Sequence, residues 1–269
     1  MTDLPEVNAL DLNLTNGWLT IWFNQPENRN ALSAELVGDL LKTLESVKDD
    51  RTVRGITLRG RGGVFCAGGD LKSFKAGQQG GQSYEDVVQS SISGADMFDL
   101  VNRMPQVVIV IIEGAAMAGG FGMACCADVV ICDANARFAM TETAIGLTPA
   151  QISPFVIQKL GYATARRLML TAARFDGRQS AEFGFADFVG ETIEDLEAHE
   201  LQIRKQVLRC APGAVADIKS LILALPRLSR DEAIQAAAEN FAGRMLSEEG
   251  KEGVASFVEK RKPNWVAEP

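Results

Sequence analysis

The chain has 269 residues, of which 46% are hydrophobic and 23% are charged, a composition typical of a globular protein with a substantial core. Its net charge is −8, from 27 Lys and Arg against 35 Asp and Glu, and this opposes non-specific binding to nucleic acid or anionic membranes. No apolar run approaches the roughly 18 residues of a membrane span, and the N-terminal MTDLPEV lacks the basic and apolar blocks of a targeting peptide. A soluble, cytoplasmic protein is therefore expected.

The N-terminal residues predict a hairpin followed by a helix. Runs at 7–14 and 18–23 are typical of strands, and the Asn-Gly pair between them is a strong signal for a two-residue turn. Ser33 then stands where it would cap a helix, because apolar residues recur at helical spacing from there to residue 47.

The middle of the chain alternates between strand and helix patterns. Residues 55–60 and the β-branched run 107–112 are typical of buried strands, and 84–104 has a helical pattern that stops before a proline. The segment 75–83 is rich in Gly and Gln and predicts a mobile loop.

Helical patterns dominate the C-terminal part. VVICD and RFAM are strand-like, and beyond Pro154 the only further strand signal lies in FADFVG. Helices are expected near 163–172, 194–209, 214–225, 231–246 and 249–260. Strands and helices that alternate and then give way to helices predict an α/β fold with a helical C-terminal portion.

The cysteines show no pairing pattern. An odd number without CxxC spacing, in mostly apolar surroundings, favours buried reduced thiols over a disulfide framework or a zinc site. They are Cys66, Cys125, Cys126, Cys132 and Cys210.

A glycine cluster, GAAMAGGFGMACC at 114–126, follows the strand run directly. A dinucleotide-binding motif would need a third glycine where Cys125 stands and a Rossmann repeat that is not seen, although Glu142 lies at a suitable distance for a ribose contact. A P-loop is excluded because no GK[ST] follows either glycine cluster. These absences disfavour nucleotide binding.

Hydrolase chemistry of the Ser-His-Asp type is also disfavoured. His199 is the only histidine, and it lies in an acidic amphipathic helix where a solvated surface position is expected. No GxSxG motif occurs.

Two strand-to-glycine-loop-to-helix units remain, and together they suggest an oxyanion site. Backbone N–H groups at a helix N-terminus are unpaired and favour negative charge. The N–H groups of Gly69, in CAGGDL, and Gly119, in MAGGFG, could converge on one carbonyl oxygen and stabilise an enolate or a tetrahedral oxyanion. The alternative is that these glycines only allow close packing of a helix on a strand.

The chain resembles the enoyl-CoA hydratase/isomerase, or crotonase, superfamily from about residue 7 to residue 265. The motifs that show the resemblance are NQPENRNALSAEL, FCAGGDLK, GAAMAGGFGMACCAD, FAMTETAIGLTP and FVEKRKPNW. It implies a spiral of ββα units over residues 1–195, a helical trimerisation region over 196–269, and a homotrimer or dimer of trimers. It also implies an acyl-CoA thioester substrate, no further cofactor and no metal, and it assigns the oxyanion role to Gly69 and Gly119.

The resemblance further implies where coenzyme A would lie, along the QPENRNAL loop and the DLK turn. Arg29, Lys72 and Lys260 are candidate phosphate contacts, with Lys260 reaching in from the C-terminal helix of the same or a neighbouring subunit. Asp70 is expected to fix its loop rather than to act as an acid. The full set of expected contacts is Arg29, Ala31, Ala67, Asp70, Leu71, Lys72 and Lys260.

The sequence departs from the family at one of two catalytic acids. Hydratases of this family use two glutamates; one matches Glu142, and the other falls at Gly122. A lone carboxylate weakens the case for simple hydration and favours isomerisation, in which one base moves a proton between Cα and Cγ. However, IGLTPAQISPFVIQKLG at 145–161, with a glycine for the first glutamate, resembles the bacterial branch that hydrates 3-substituted glutaconyl-CoA thioesters.

Hydration of a branched enoyl-CoA is therefore the preferred interpretation, and enoyl-CoA isomerisation is the alternative. A third possibility is a non-catalytic protein on this scaffold, as RNA-associated relatives suggest. The net charge of −8 argues against RNA binding, and the presence of Glu142 argues against a loss of catalysis.

Overall fold

The computed structural model describes residues 3–267 and contains two β-sheets surrounded by helices. The strands are β1 Leu10–Thr15, β2 Trp18–Phe23, β3 Gly55–Gly60, β4 Val107–Ile112, β5 Ala115–Met117, β6 Val129–Asp133, β7 Arg137–Ala139, β8 Phe175–Asp176 and β9 Phe188–Gly190. The helices are α1 Ala34–Val47, α2 Leu71–Gln79, α3 Tyr84–Arg103, α4 Gly119–Cys125, α5 Ser153–Thr171, α6 Gly177–Glu182, α7 Ile193–Val207, α8 Pro212–Ala224, α9 Arg230–Leu246 and α10 Glu248–Val258. Among the described residues, no helix combines the length and hydropathy needed to cross a membrane.

The larger sheet has six strands in the order β1-β2-β3-β4-β6-β9, and all its pairs are parallel except β1 with β2. The predicted hairpin is confirmed: Asn16 and Gly17 form its turn with φ of 52° and 74°, the positive values that a two-residue turn of type I′ needs. Every residue of β3 is buried, as expected for a parallel strand covered on both faces.

The smaller sheet has the order β5-β7-β8, with β5 and β7 parallel. Two isolated parallel bridges extend it on the β5 side: Cys66 pairs with Ala116, and Leu32 pairs with Gly69. Four neighbouring segments, at 31–32, 66–69, 115–117 and 137–139, therefore run in the same direction. Their carboxyl ends meet at one edge, which is where ligands bind in sheets of this kind.

The expectation of a mobile loop at 75–83 is wrong. Residues up to Gln79 belong to α2, because Asp70 caps this helix by accepting hydrogen bonds from Lys72 N–H at 3.0 Å and Ser73 N–H at 3.4 Å. An N-cap of this kind stabilises a helix by about 1 kcal/mol, which offsets the weak helix propensity of Gly77. Only the connection between α2 and α3, residues 80–83, lies outside helices as predicted.

Three short elements were not predicted: β5, β8 and α6 have at most six residues each. The helix expected from 163 is longer and starts at Ser153, with a break at Gly161, whose φ is 71°. His199 is half-buried and stacks on Phe188 with ring centroids 4.8 Å apart, so the expectation of a solvated position is wrong. Phe188, the first residue of β9, is itself half-buried, which leaves one face of its ring open to the imidazole.

The fold class predicted from sequence, α/β with a helical C-terminal region, is confirmed. In that region α8, α9 and α10 pack against one another, and α9 has no buried residue. The division at residue 195 stays a prediction, since α7 continues across it.

Candidate active site

Gly69 and Gly119, which lie fifty residues apart in sequence, are adjacent in the structure. An ideal Cβ built on Gly119 would lie 3.7 Å from the backbone N of Gly69. The glycine before Gly69 is equally close, because a Cβ on Gly68 would lie 3.4 Å from the N of Gly119. Glycine is needed at residue 68, where φ is 95° and a Cβ would lie 2.8 Å from the Met117 carbonyl oxygen.

The backbone N–H groups of Gly69 and Gly119 are free to bind a ligand. Within residues 3–267, neither donates a hydrogen bond to a protein acceptor. Gly69 immediately precedes the N-cap of α2, and Gly119 is the first residue of α4. Two unpaired N–H donors this close together can stabilise negative charge that develops on one oxygen atom.

Ala118, immediately before Gly119, has an unusual backbone conformation with φ 48° and ψ −121°. A non-glycine residue in such a region stores about 1–3 kcal/mol of strain. Its N–H donates to the carbonyl of Ala139 at 2.8 Å, which ties the turn to β7. The turn between β5 and α4 is thus held in the orientation that leaves the Gly119 N–H unpaired.

Glu142 lies at the same edge of the small sheet. It begins a short 3₁₀ turn, residues 142–145, three residues after the end of β7, whereas Gly119 comes two residues after the end of β5. Met117 and Ala139, the last residues of those strands, are paired neighbours, and neighbouring strands lie about 4.8 Å apart. Glu142 and Gly119 therefore follow two adjacent strands at the same edge of the small sheet.

The Glu142 carboxylate is half-buried and incompletely paired. Its Oε2 atom is buried without a hydrogen-bond partner. Burial raises the pKa of this carboxyl above the ordinary glutamate value, and the hydrogen bond from its own backbone N–H only partly opposes that shift. A carboxylate with an unused oxygen and a raised pKa is suited to accept and return a proton.

Gly122, where the sequence resemblance places a second acid, lies one helical turn after Gly119. Its N–H donates to the Ala118 carbonyl at 3.0 Å within α4. The space beside it is occupied, because a Cβ on Gly122 would lie 2.2 Å from Cγ2 of Ile152. An apolar side chain from another segment therefore occupies the place that a side chain at residue 122 would take.

The expected coenzyme A contacts from the first two loops lie together. Ala67 N–H donates to the Arg29 carbonyl at 3.0 Å, and Leu32 N–H donates to the Gly68 carbonyl at 2.8 Å. These bonds place Ala31 beside the 67–69 segment, and the exposed Leu71 and Lys72 follow on the first turn of α2. The loops thus form one continuous surface next to Gly69.

Asp70 and Lys260 differ from the other expected contacts in the hydrogen bonds that they make. The Asp70 carboxylate accepts from Ser73 Oγ at 2.6 Å, and this bond, with those from the helix N–H groups, lowers its pKa. Asp70 thus fixes the start of α2. Lys260 is exposed just after α10, and its N–H donates back to Phe257, so none of its hydrogen bonds in the described chain joins it to the other expected contacts.

Sequence reasoning missed two apolar side chains at the site. The ring of Phe74, from α2, lies 3.0 Å from an ideal Cβ on Gly69, and Cδ1 of Leu32 lies 2.9 Å from one on Gly119. Both side chains therefore border the free N–H groups. A signal existed for Phe74, since it is a lone aromatic residue in an otherwise polar segment one turn after Asp70.

Comparisons with known proteins agree with this architecture. The profile of the family described as Enoyl-CoA hydratase/isomerase matches residues 13–268. Enoyl-CoA hydratase ACTT6 of Alternaria alternata is 31% identical over 242 residues, which cover 90% of this chain and 78% of that protein. The chain therefore belongs to the enoyl-CoA hydratase/isomerase family and is an enzyme of that family, for which acyl-CoA thioesters are the substrates.

Solved structures are similar over nearly the whole chain. AtuE of Pseudomonas aeruginosa is 40% identical with a TM-score of 0.93, covering 96% of this chain and 100% of that one. An enoyl-CoA hydratase/isomerase from Marinobacter aquaeolei is 37% identical with a TM-score of 0.91, covering 96% and 99%.

Proposed function

We propose that the protein is a hydratase that adds water across the α,β double bond of an enoyl-CoA thioester, with Glu142 as its acid/base. The observation behind this proposal is the buried Oε2 atom of Glu142, which has no partner, at the sheet edge where Gly69 and Gly119 leave two N–H groups unpaired. A base and an oxyanion site at one edge are the two parts that addition to a conjugated thioester requires.

In the proposed reaction two N–H groups bind the thioester oxygen, and one carboxylate accepts a proton and then returns it. The N–H groups of Gly69 and Gly119 bind the thioester oxygen. The Glu142 carboxylate accepts a proton from water as the water oxygen bonds to Cβ, and the electrons of the double bond move onto the thioester oxygen as an enolate. The enolate then collapses and takes the proton from Glu142 at Cα, so that one water has been added. No redox cofactor or metal takes part in these steps.

For the substrate we propose a branched thioester of the 3-substituted glutaconyl-CoA type. The segment 145–161, whose sequence suggests this class, forms the turn 150–152 and the start of α5, and the turn packs on α3 and α4. It therefore lies against the helix that begins with Gly119. Gln151, whose amide donates to Ser91 Oγ at 3.2 Å, supplies a polar group on the same turn.

Isomerisation of an enoyl-CoA is the second candidate, and one observation favours it. Ile152 fills the space beside Gly122, so α4 contributes no second carboxylate. A single base is sufficient to move a proton between Cα and Cγ of a dienolate, whereas hydration must also position a water molecule.

Incubation in water labelled with heavy oxygen separates the two reactions. The purified protein would be given a 3-enoyl-CoA and a 3-substituted glutaconyl-CoA, and the products would be analysed by mass spectrometry. A hydratase incorporates the label into a 3-hydroxyacyl-CoA, whereas an isomerase produces an unlabelled 2-enoyl-CoA.

The variant Glu142→Gln tests the role of the carboxylate. Loss of a positioned acid/base typically lowers the rate by about 10²–10⁴-fold, so kcat should fall by that amount while the fold is kept. Glu182→Gln, at an exposed glutamate on α6, is the matched control. Full turnover by Glu142→Gln would rule out the assignment.

We also propose that the protein assembles as a homotrimer or a dimer of trimers through its C-terminal helices. Large apolar side chains of α9 and α10 are exposed in the single chain, among them Ile234, Phe241, Leu246 and Phe257. Exposed apolar surface of this extent is typical of an interface. In such an assembly Lys260 of a neighbouring copy could reach the coenzyme A phosphates. Light scattering coupled to size-exclusion chromatography measures the copy number, and a monomer at micromolar concentration would contradict the proposal.

A further inference from the structure

The face of α4 that carries Gly119 continues one turn further to Gly122. Residues three apart lie on the same side of a helix, and the rise from Gly119 to Gly122 is about 4.5 Å at 1.5 Å per residue. The ideal Cβ of Gly119 points towards Leu32 and Gly69, and that of Gly122 points towards Ile152. Ile152 therefore covers the same face of α4, one turn beyond the candidate oxyanion donors.

The side chain of Ile152 leaves no room for any side chain at residue 122. An ideal Cβ on Gly122 would lie 2.2 Å from Cγ2 and 2.4 Å from Cβ of Ile152. Both contacts are far inside van der Waals distance, and the second involves an atom next to the backbone that cannot rotate away. Ile152 itself is only 4% exposed, so the surrounding packing holds it in place.

Hydrogen bonds on both sides of Ile152 fix the turn that carries it. Ile152 N–H donates to the Pro149 carbonyl at 3.2 Å, and Ser153 Oγ donates to the same carbonyl at 3.0 Å. Gln151 Nε2 donates to Ser91 Oγ on α3 at 3.2 Å. The segment before this turn is tied to the backbone of residue 142, because Leu147 N–H donates to the Glu142 backbone carbonyl at 2.9 Å.

We propose that Ile152 is a specificity-determining residue, which forms an apolar wall beside Gly122 and sets the size of acyl group that fits next to the reacting carbons. This inference rests on the proposed function. In place of a side chain from α4, a branched apolar side chain from the 150–152 turn occupies the position one turn beyond Gly119. The substrate portion that meets this wall is therefore hydrocarbon, and its fit depends on the volume at residue 152.

The test compares the wild type with Ile152→Ala and Ile152→Val on a series of thioesters. Crotonyl-CoA, 3-methylcrotonyl-CoA and 3-methylglutaconyl-CoA are suitable probes, together with a 2-enoyl-CoA of eight carbons. Ile157→Ala is the matched control, because Ile157 lies on α5 and is 38% exposed. Melting temperatures identify any variant that fails to fold, and Ile152→Val keeps most of the packing.

We expect Ile152→Ala to shift the kcat/KM ratio between the bulkiest and the smallest accepted thioester by about 10-fold or more, since one methylene in an apolar pocket discriminates by roughly 10–200-fold. Ile152→Val should shift it in the same direction by less, and Ile157→Ala should leave it unchanged. A uniform loss of kcat/KM on every thioester would overturn the specificity role, since it would indicate a purely structural effect.

A second set of variants tests the contact between residues 122 and 152. Gly122→Ala should lower both the melting temperature and kcat/KM, and Gly122→Ala combined with Ile152→Ala should recover a large part of both. Losses in the double variant that equal the sum of the losses in the two single variants would show that the two positions are not coupled, and this would overturn the proposed role of Ile152 as a wall.

Failure of the proposed function has a different signature. A wild-type enzyme that is inactive on all four thioesters would overturn the proposed hydration and, with it, the specificity role of Ile152. A wild-type enzyme that is active, with an unchanged substrate ratio in folded Ile152→Ala, would overturn the role of Ile152 alone.

Discussion

The two sheets of this protein differ in which polar groups they leave without a partner. In the large sheet, Thr57 is fully buried yet accepts a hydrogen bond from Trp18 Nε1 at 2.8 Å and donates one to Glu200 at 2.6 Å. At the edge of the small sheet, Glu142 has a buried oxygen without a partner, and Ala118 has a positive φ. The large sheet also has a buried atom without a partner, Nε of Arg59, but the small sheet combines an unpaired carboxylate oxygen with a strained turn beside two free N–H groups.

The small sheet tolerates these costs because a dense aromatic cluster supports it. Phe121 from α4 stacks on Phe185 with centroids 4.5 Å apart, and Phe138 from β7 meets Phe185 at 5.1 Å. All three rings are fully buried. Aromatic pairs add about 0.5–1.5 kcal/mol each beyond their buried area, which helps to offset a strained turn. Phe121 lies two residues after Gly119 and Phe138 four residues before Glu142, so this packing supports the segments that carry both groups.

Gly120→Ala should have the largest effect on the small sheet. The new Cβ would lie 2.6 Å from the Cys66 carbonyl oxygen and 2.7 Å from the Cys66 Cβ, so the start of α4 must move and Gly119 must move with it. Loss of one oxyanion donor typically costs about 10²–10³-fold in kcat, and steady-state kinetics should show a fall of this order.

Gly38→Ala is the control for that variant. Gly38 lies in α1, and nothing is within 4 Å of its ideal Cβ, so alanine there should leave turnover within roughly two-fold and should stabilise the helix slightly. Normal turnover by Gly120→Ala would mean that the position of α4 does not matter for activity.

Ile109→Ala tests the large sheet. Ile109 is fully buried in β4, and removal of its side chain should lower the free energy of unfolding by about 2–5 kcal/mol, as measured by denaturant titration. Because the strand contributes no group to the site, kcat of the folded fraction should stay near that of the wild type. Ile193→Ala, which is 44% exposed, should cost far less. A large fall in kcat with little loss of stability would contradict the division between the sheets.

The pH dependence of activity should reflect the buried carboxyl of Glu142. Its raised pKa places the acidic limb of kcat/KM above the ordinary glutamate value of about 4.3, since the base must be ionised. Burial of the ionised form costs stability, and this cost is absent below about pH 4.3 and grows as pH rises through the raised pKa. The stability of Glu142→Gln relative to the wild type should therefore increase over that range, and a constant difference would argue against a buried charge.

Ala118→Gly should have the smallest effect. Glycine relieves the strain at φ 48°, about 1–3 kcal/mol, but adds unfolded-state entropy of about 0.5–1 kcal/mol. The free energy of unfolding should therefore rise by at most about 2.5 kcal/mol. A more flexible turn should lower kcat a few-fold. Marked destabilisation, measured by thermal unfolding, would show that the Ala118 methyl group packs favourably and that its backbone is not strained.

Local signals in the sequence were sufficient for the long elements. The Asn-Gly turn requires positive φ, the run at 107–112 is β-branched throughout, and Ser83 caps α3 through its bond with Asp86 N–H. Each of these features is set by residues close together in the chain. The capping role of Asp70 was equally local, but the glycines and glutamines after it obscured α2.

The sequence by itself determined the fold class, the family and the residues that form the two glycine loops. Only the tertiary structure decided which groups meet. The bridges between residues 32 and 69 and between 66 and 116 bring distant segments side by side, and no local pattern encodes such pairing. For the same reason the sequence showed that residue 122 lacks an acid, but only packing showed that Ile152 fills its place, because that contact joins residues thirty positions apart.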